Sequence, residues 1–284
     1  MQGKIIGHNY ADFDIFSQGN TFHLKAVGKL RFRDLSPLVG DIVSFNLEKE
    51  LIEDILPRKN ELIRPHSANV DQIFVLISLK EPDFSYYLAY LYLSYAFFLN
   101  IPVTLILTKK DLLLETEVKS IEEHFKKEGF AVYAINNSNS NLEVIHDLLK
   151  GKTTILMGQT GVGKSSLINE LFPSIGREIG EYSKRGGRGK HMTKEVRFFP
   201  IDANSFIADT PGFSSFELPI SREDFVDSFP PFHPYQHQCF FNDCNHINSK
   251  NCAIEAALRK GEISAVTYDN YVKIYNSLEK QRKW

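Results

Sequence analysis

Residues 1 to about 60 alternate apolar and polar positions in short runs: Lys4-Ile5-Ile6-Gly7, Phe22-His23-Leu24 and Leu38-Val39-Gly40-Asp41-Ile42-Val43, broken by Gly and Pro. A period of two is strand spacing, and short strands with frequent breaks predict a small all-β barrel. Lys25, Lys29, Arg31 and Arg33 have odd numbers, so on a strand they share one face while Leu30 and Phe32 point to the other. Such a cationic stripe has two readings, a nucleic-acid surface or an ordinary solvated face. Pro57 to Pro65 reads as a linker, after which the period changes. From Val70 onward β runs and helical runs alternate. Strands are expected at Ile73 to Leu79, Val103 to Thr108, Phe130 to Ile135 and Thr153 to Met157, and helices near Phe84 to Leu99, Leu114 to Lys127 and Leu142 to Leu149. That βαβ rhythm predicts a parallel sheet covered on both faces.

At 284 residues the chain is long enough for two or three domains, one of them small. A net charge of −2 excludes binding nucleic acid by overall charge and confines any RNA contact to a local face. The three Cys do not make a disulfide framework, and the N-terminus lacks a basic-then-apolar leader, so a reducing cytoplasm is the expected setting. The uncharged stretch Phe84 to Thr108 carries five Tyr, Asn100 and Pro102, which suits a buried helix and strand better than a membrane span. Lys184 to Lys190 reads as a basic, glycine-rich loop.

Gly158-Gln159-Thr160-Gly161-Val162-Gly163-Lys164-Ser165 follows the strand Thr153 to Met157 and precedes an apolar-periodic helix, Ser166 to Phe172. It satisfies GxxxxGK[ST] in the strand–loop–helix context that the phosphate-binding loop needs. The glycines let backbone N–H groups curl around a β-phosphate, Lys164 reaches the β/γ oxygens, and the Ser165 hydroxyl is a magnesium ligand. Ser166 extends this nucleotide-binding set. Asp209-Thr210-Pro211-Gly212 ends the apolar run Ser205 to Ala208, placing a carboxylate at a strand tip where α/β sheets bind ligands. It fits the DxxG element, with Asp209 holding magnesium through water and the Gly212 amide facing the γ-phosphate.

Thr108-Lys109-Lys110-Asp111 closes the strand Val103 to Leu107 and matches the [NT]KxD element that reads guanine. Asp111 can accept two hydrogen bonds from the ring N–H and the exocyclic amine while the Lys109 stem covers the base. Adenine lacks that donor pair, and a site left with unpaired polar groups rejects it. In an ordinary small GTPase the P-loop comes first and the guanine element last, whereas here Asp111 precedes Lys164, which precedes Asp209, so the domain is read as circularly permuted. The rival reading, a P-loop kinase or ATPase acting on a metabolite, leaves Asp111 idle. A third reading has GTP as a structural ligand that is never hydrolysed. Phe213 stands where Ras-type enzymes place the glutamine that orients the attacking water.

Cys239, Cys244, His246 and Cys252 follow the spacing C-x₄-C-x-H-x₅-C and include every cysteine in the chain. Three thiolates and an imidazole complete a closed tetrahedral zinc site with no position left for water, so a structural zinc is expected. His233 and His237 read as surface residues.

The order TKKD, GQTGVGKS, DTPG, then Cys-Cys-His-Cys behind a short barrel resembles the ribosome small-subunit-dependent GTPase A family (RsgA, also called YjeQ or YloQ). Arg64-Pro65 with Ala68-Asn69-Val70-Asp71-Gln72, Pro37 to Val43 as the barrel's closing strand, and Gly187-Arg188-Gly189-Lys190-His191-Met192-Thr193 in the switch loop extend the likeness over nearly the whole chain. The resemblance implies an OB-fold barrel over 1–62, a circularly permuted α/β P-loop GTPase domain over 63–219 and a mostly helical zinc-binding domain over 220–284. It implies GTP hydrolysis with magnesium in late maturation of the small ribosomal subunit, stimulated by that subunit, with rRNA held by a barrel face and the zinc domain. A monomer without membrane attachment is expected. The family's switch runs Gly-(Arg/Lys)-His-Thr-Thr, so Met192 departs from it and Thr193 takes the magnesium-sensing place. His191 is implied as the group that orients the water, beside the alternative of a surface histidine without a catalytic role.

Overall fold

The structure is a computed structural model that describes residues 1–9, 12–26, 36–136, 141–186, 196–209 and 216–281. Five strands close the N-terminal barrel in the order β1 (Gln2–Asn9), β2 (Asp12–Ser17), β3 (Asn20–Ala26), β5 (Leu51–Ile55) and β4 (Ile42–Asn46), with β4 returning to β1. Alternation dictates the interior: Ile5, Ile15, Leu24, Val43, Phe45 and Ile52 are all buried in it. On β3, Thr21, His23 and Lys25 point outward, which places Lys25 on the face its parity predicts. Lys29, Arg31 and Arg33 lie outside the described residues.

The closing strand corrects the expectation of Pro37 to Val43, because it begins only at Ile42. Leu38 to Asp41 is instead a turn, with Asp41 N–H donating to the Leu38 carbonyl and Leu38 N–H to Asp41 Oδ2. Pro37 has no N–H for a ladder, and Asp41 is fully buried and must be paired. Its partner is Arg58, whose Nε and Nη2 reach the two carboxylate oxygens at 2.8 and 2.9 Å. The stretch read as a linker is therefore a clamp on the barrel, and it continues into a short ladder of β6 (Glu61–Leu62) and β7 (Ser67–Ala68).

The central sheet runs β10 (Ala131–Ala134), β9 (Val103–Thr108), β8 (Gln72–Ser78), β11 (Thr153–Met157), β13 (Phe206–Asp209) and β12 (Phe199–Pro200). All neighbours are parallel except β12, which is antiparallel to β13. Strands β8 and β11 are buried along their whole length, which is why they read as unbroken apolar runs. Helix α1 (Tyr86–Phe98) starts at Ser85, whose side chain accepts from Leu88 N–H. It is buried from Ala89 to Ala96 because the sheet lies on one side and the C-terminal helices α6 (Arg222–Ser228) and α8 (Ala265–Gln281) lie on the other. Among the described residues no helix is long and apolar enough to cross a membrane.

Helices α2 (Glu115–Lys127), α3 (Leu142–Leu149), α4 (Lys164–Leu171) and α5 (Pro173–Gly186) complete the middle of the chain. Two expectations shift here. Helix α4 starts at Lys164, earlier than Ser166, because Gly163 at φ 98° turns the loop directly into it. Lys184 to Gly186 belong to the last turn of α5, and the remainder of the basic loop lies outside the described residues.

The C-terminal part adds α7 (Ala253–Lys260) and an aromatic cluster. Tyr271 meets Phe225 at 5.2 Å, Phe229 at 5.2 Å and Phe232 at 4.6 Å between ring centroids, and Phe229 meets Tyr90 of α1 at 5.2 Å. These ring contacts join this part to α1, the helix that covers the sheet.

Candidate nucleotide site and metal centre

The sheet assembles the phosphate loop at the C-terminal ends of its central strands. Strand β11 leads into Gly158, where a Cβ would stand 2.4 Å from the Leu76 carbonyl oxygen, so only glycine fits beside β8. The loop then curls back on itself, with Lys164 Nζ donating to the carbonyls of Gly158 at 2.9 Å and Gln159 at 3.0 Å. Lys164 is buried, and this burial pulls its pKa below the ordinary lysine value while the nearby Asp209 carboxylate partly offsets that pull. Thr160 and Gly161 are exposed on the loop, and Val162 is buried under it.

Register brings the second element in. Leu156 pairs with Asp209, so the carboxylate at the tip of β13 sits beside the phosphate loop. Ser165 Oγ donates to Asp209 Oδ2 at 2.7 Å. Among the described residues Asp209 Oδ1, which is buried, has no hydrogen-bond partner. Burial raises the pKa of this carboxyl above the usual carboxylate range, against the opposing effects of Ser165 and Lys164. An unpaired buried oxygen next to a hydroxyl is a hard-donor set suited to magnesium. Gly212, Thr193 and His191 lie outside the described residues, as does Phe213.

The third element joins through Thr108, whose Oγ1 donates to the Val162 carbonyl at 2.6 Å. Lys109 adopts φ 57°, and its ammonium donates to the Glu81 carbonyl. A cleft open to solvent is lined by Thr108 and Lys109 on one side and by Gly163, Ser166, Leu167 and Glu170 on the other, with Asn136 between. Asp111 is exposed in a single turn, Lys110–Leu112, and borders an adjoining depression that Asn136 also lines. Sequence reasoning missed Asn136, Leu167 and Glu170. Asn136 could have been sought as the first polar residue after strand β10, because ligands bind where parallel strands end.

The four expected metal ligands converge. The ligand atoms of Cys239, Cys244, His246 and Cys252 all lie within 4.8 Å of one another. Cys239 Sγ and Cys252 Sγ are 3.8 Å apart, and His246 Nδ1 lies 3.5 Å from Cys239 Sγ and 3.6 Å from Cys252 Sγ. A tetrahedral ion with sulfur at about 2.3 Å and nitrogen at about 2.0–2.1 Å has edges of about 3.8 Å for S–S and about 3.5–3.6 Å for S–N. The three edges among Cys239, His246 and Cys252 match, and Cys244 lies within 4.8 Å of each of them, so the four residues fit a four-coordinate metal. Tyr268 and Tyr271 of α8 hold the loop backbone, donating to the carbonyls of His246 at 2.9 Å and Asn245 at 2.8 Å.

The model of the RsgA GTPase family matches residues 55–219. A small ribosomal subunit biogenesis GTPase RsgA of Streptococcus pyogenes serotype M6 is 38% identical over 288 residues, which cover 100% of this chain and 97% of the relative. The protein of the same name from Alkaliphilus metalliredigens is 34% identical over 290 residues, covering 100% and 99%. The crystal structure of YjeQ from Thermotoga maritima superposes with a TM-score of 0.81 at 29% identity, covering 98% of each chain. That of YloQ, described as a circularly permuted GTPase, gives 0.81 at 28% identity, covering 100% of this chain and 96% of the other.

Proposed function

This chain belongs to the RsgA GTPase family, and on that premise we propose that it hydrolyses GTP in late maturation of the small ribosomal subunit, with turnover stimulated by that subunit. The observation that carries the GTP assignment is the cleft shared by Thr108 and Lys109 with Gly163 and Ser166, which joins the guanine-reading and phosphate-binding elements in one space. In this reading Asp111 accepts the guanine N–H groups and Lys109 covers the base. Residues Gly158 to Ser166 surround the phosphates with backbone N–H groups and the Lys164 ammonium. Ser165, Thr193 and Asp209 would hold magnesium, which when bound neutralises charge on the β- and γ-phosphate oxygens. In the same reading the Gly212 amide would face the γ-phosphate and His191 would orient the attacking water, a task that the Phe213 ring cannot perform.

The working units are taken as the barrel over 1–62, the GTPase domain over 63–219 and the metal domain over 220–284, acting as a monomer in the cytoplasm. The metal is assigned as one structural zinc, which the three thiolates and the imidazole select over hard cations. The exposed outward face of β3 and the metal domain are the surfaces assigned to rRNA. The deciding experiment is GTP turnover by the purified protein with and without small ribosomal subunits. Stimulation by one to several orders of magnitude is expected, in line with GTPases that need a partner to complete the site. No stimulation would overturn the ribosomal reading, and equal affinity for ATP would overturn the guanine assignment.

A further inference from the structure

His23 and Lys25 stand two residues apart on the outward face of β3, both exposed. His23 Nδ1 lies 2.6 Å from Asp14 Oδ1, directly opposite it on β2. The other oxygen of the same carboxylate, Oδ2, accepts from Arg197 Nη1, which belongs to the GTPase domain. The side chains of Asp14 and Arg197 are only 12% and 24% exposed, whereas that of His23 is 73% exposed, so one shielded ion pair has a single solvent-facing end. Gly7 makes the room, since a Cβ there would stand 2.5 Å from Arg197 Nη1.

Beyond Arg197 the path continues in backbone. Phe198 N–H donates to the Ile6 carbonyl at 2.8 Å, which pins this segment to β1. Phe199 then pairs with Ile207, two residues before Asp209 on the same strand. The barrel touches that strand a second time, with Phe16 edge-on to Phe206 at 5.6 Å and the Lys4 ammonium 4.7 Å over the Phe206 ring. In the other direction Arg197 stands four residues after Thr193 in the chain. The strand pair that presents Asp209 is thus held against the barrel by the Arg197–Asp14 ion pair, a backbone hydrogen bond, and the contacts of Phe16 and the Lys4 ammonium with Phe206.

We propose that Arg197 is a positioning residue for GTP hydrolysis, coupling occupancy of the His23/Lys25 face by RNA phosphate to the setting of Asp209. This rests on the reading of the protein as a subunit-stimulated GTPase that meets rRNA through the barrel. A phosphate that hydrogen-bonds the exposed imidazole competes with Asp14 for it, and the carboxylate shared by His23 and Arg197 is then left to the guanidinium. Coupling of this kind is reciprocal, so magnesium and GTP at Asp209 must alter the barrel by the same free energy.

Two measurements test it. In the isolated protein, adding a non-hydrolysable GTP analogue with magnesium should change backbone hydrogen exchange in β2 and β3 of the wild type and leave them unchanged in Arg197→Met. A wild-type barrel indifferent to the analogue overturns the inference whatever the ribosome does. With small subunits, the ratio of stimulated to basal kcat should fall about tenfold in Arg197→Met and in Asp14→Asn, within the usual range of coupling between sites. Arg197→Lys, which keeps a charge for Asp14, should recover part of it. A purely structural role would lower thermal stability and leave that ratio intact, which also overturns the inference. Stimulation in wild type and Arg197→Met alike removes the role of Arg197 while the subunit-stimulated reading stands.

Discussion

Ser165 and Asp209, 44 positions apart in the chain, meet through a 2.7 Å hydrogen bond that leaves the second oxygen of Asp209 buried and, among the described residues, unpaired. A carboxylate in that condition destabilises the nucleotide-free protein, because burial raises its pKa. The sign follows: the folded state binds the proton more tightly than the unfolded one, so stability is lost as pH rises from the ordinary Asp range through the raised value. Asp209→Asn should therefore match or exceed the wild-type melting temperature without nucleotide at neutral pH. Its affinity for magnesium–GTP should fall about 10–100-fold, the usual cost of removing an outer-shell partner of a bound metal. Calorimetric titration beside a thermal scan reads both, and undiminished affinity would remove Asp209 from the site.

Guanine selection is tested at Asp111. Two hydrogen bonds to a charged acceptor contribute about 1.5–3 kcal/mol each, so Asp111→Asn should weaken GTP at least about a hundredfold. The amide can donate to the ring carbonyl of xanthine, and preference should move to xanthosine triphosphate. Competition between labelled nucleotides measures it, and an unchanged preference would return the exposed Asp111 to the role of a charged loop residue.

Glu128 gives a pH dependence unrelated to catalysis. Its carboxyl, buried where α2 meets the C-terminal helix α8, accepts from Thr267 Oγ1 at 2.5 Å and from Tyr90 at 2.8 Å, and burial pushes its pKa up to about 7. The protonated form is favoured in the fold, so stability present below about pH 4.5 is lost progressively up to about pH 7. His124, 3.6 Å away, is pushed below its ordinary value by burial and by Lys127, and it acts in the opposite direction on the acid side. Glu128→Gln should flatten the decline between pH 5 and 8 and raise the melting temperature at pH 8. A variant whose pH profile overlays the wild type would show that this carboxyl does not titrate in the window.

The parts of the molecule that sequence made legible are those encoded locally. Strands β9 and β11 and helix α3 occupy the expected residues because an apolar run and its flanking Gly, Asn or Pro lie within one window. The glycines of the phosphate loop and the Cys/His spacing are equally local. Asn136 was not legible beyond its place as the first polar residue after a strand, since only the packing of β10 beside β9 brings it to the cleft. Neither was the clamp of Arg58 on Asp41, which converts an apparent linker into part of the barrel. The pairing of Asp14 with Arg197 spans 183 positions and has no local signature.

The metal centre should prove separable from nucleotide binding. Purified protein is expected to contain about one zinc per chain. Cys244→Ser, or chelation, should release the loop that Tyr268 and Tyr271 hold and expose the aromatic cluster around Phe232. GTP affinity should stay within about threefold, because no metal ligand lines the cleft. Metal analysis, proteolysis of the C-terminal segment and nucleotide titration check these points together. A metal-free protein with that segment intact would contradict a structural metal.

Catalysis divides between two residues that should fail differently. Lys164 closes the loop over the carbonyls of Gly158 and Gln159, and to meet phosphate it must exchange those two acceptors for the β- and γ-oxygens. The exchange is favourable because burial, which depresses the charged form of Lys164, is offset by the phosphate charge. Lys164→Ala therefore loses an interaction made in both the ground and the transition state, and GTP affinity and kcat should both fall. His191, in the role assigned to it, touches only the attacking water. His191→Ala should leave GTP affinity within about twofold and remove on the order of 10²-fold or more of the subunit-stimulated kcat, the usual contribution of a positioned proton-handling group. Single-turnover hydrolysis on small subunits separates the two, since it reports chemistry apart from product release. If His191→Ala hydrolyses GTP at the wild-type rate on the subunit, the water must be oriented by backbone or by rRNA, and the ribosome then supplies the group that Phe213 leaves out.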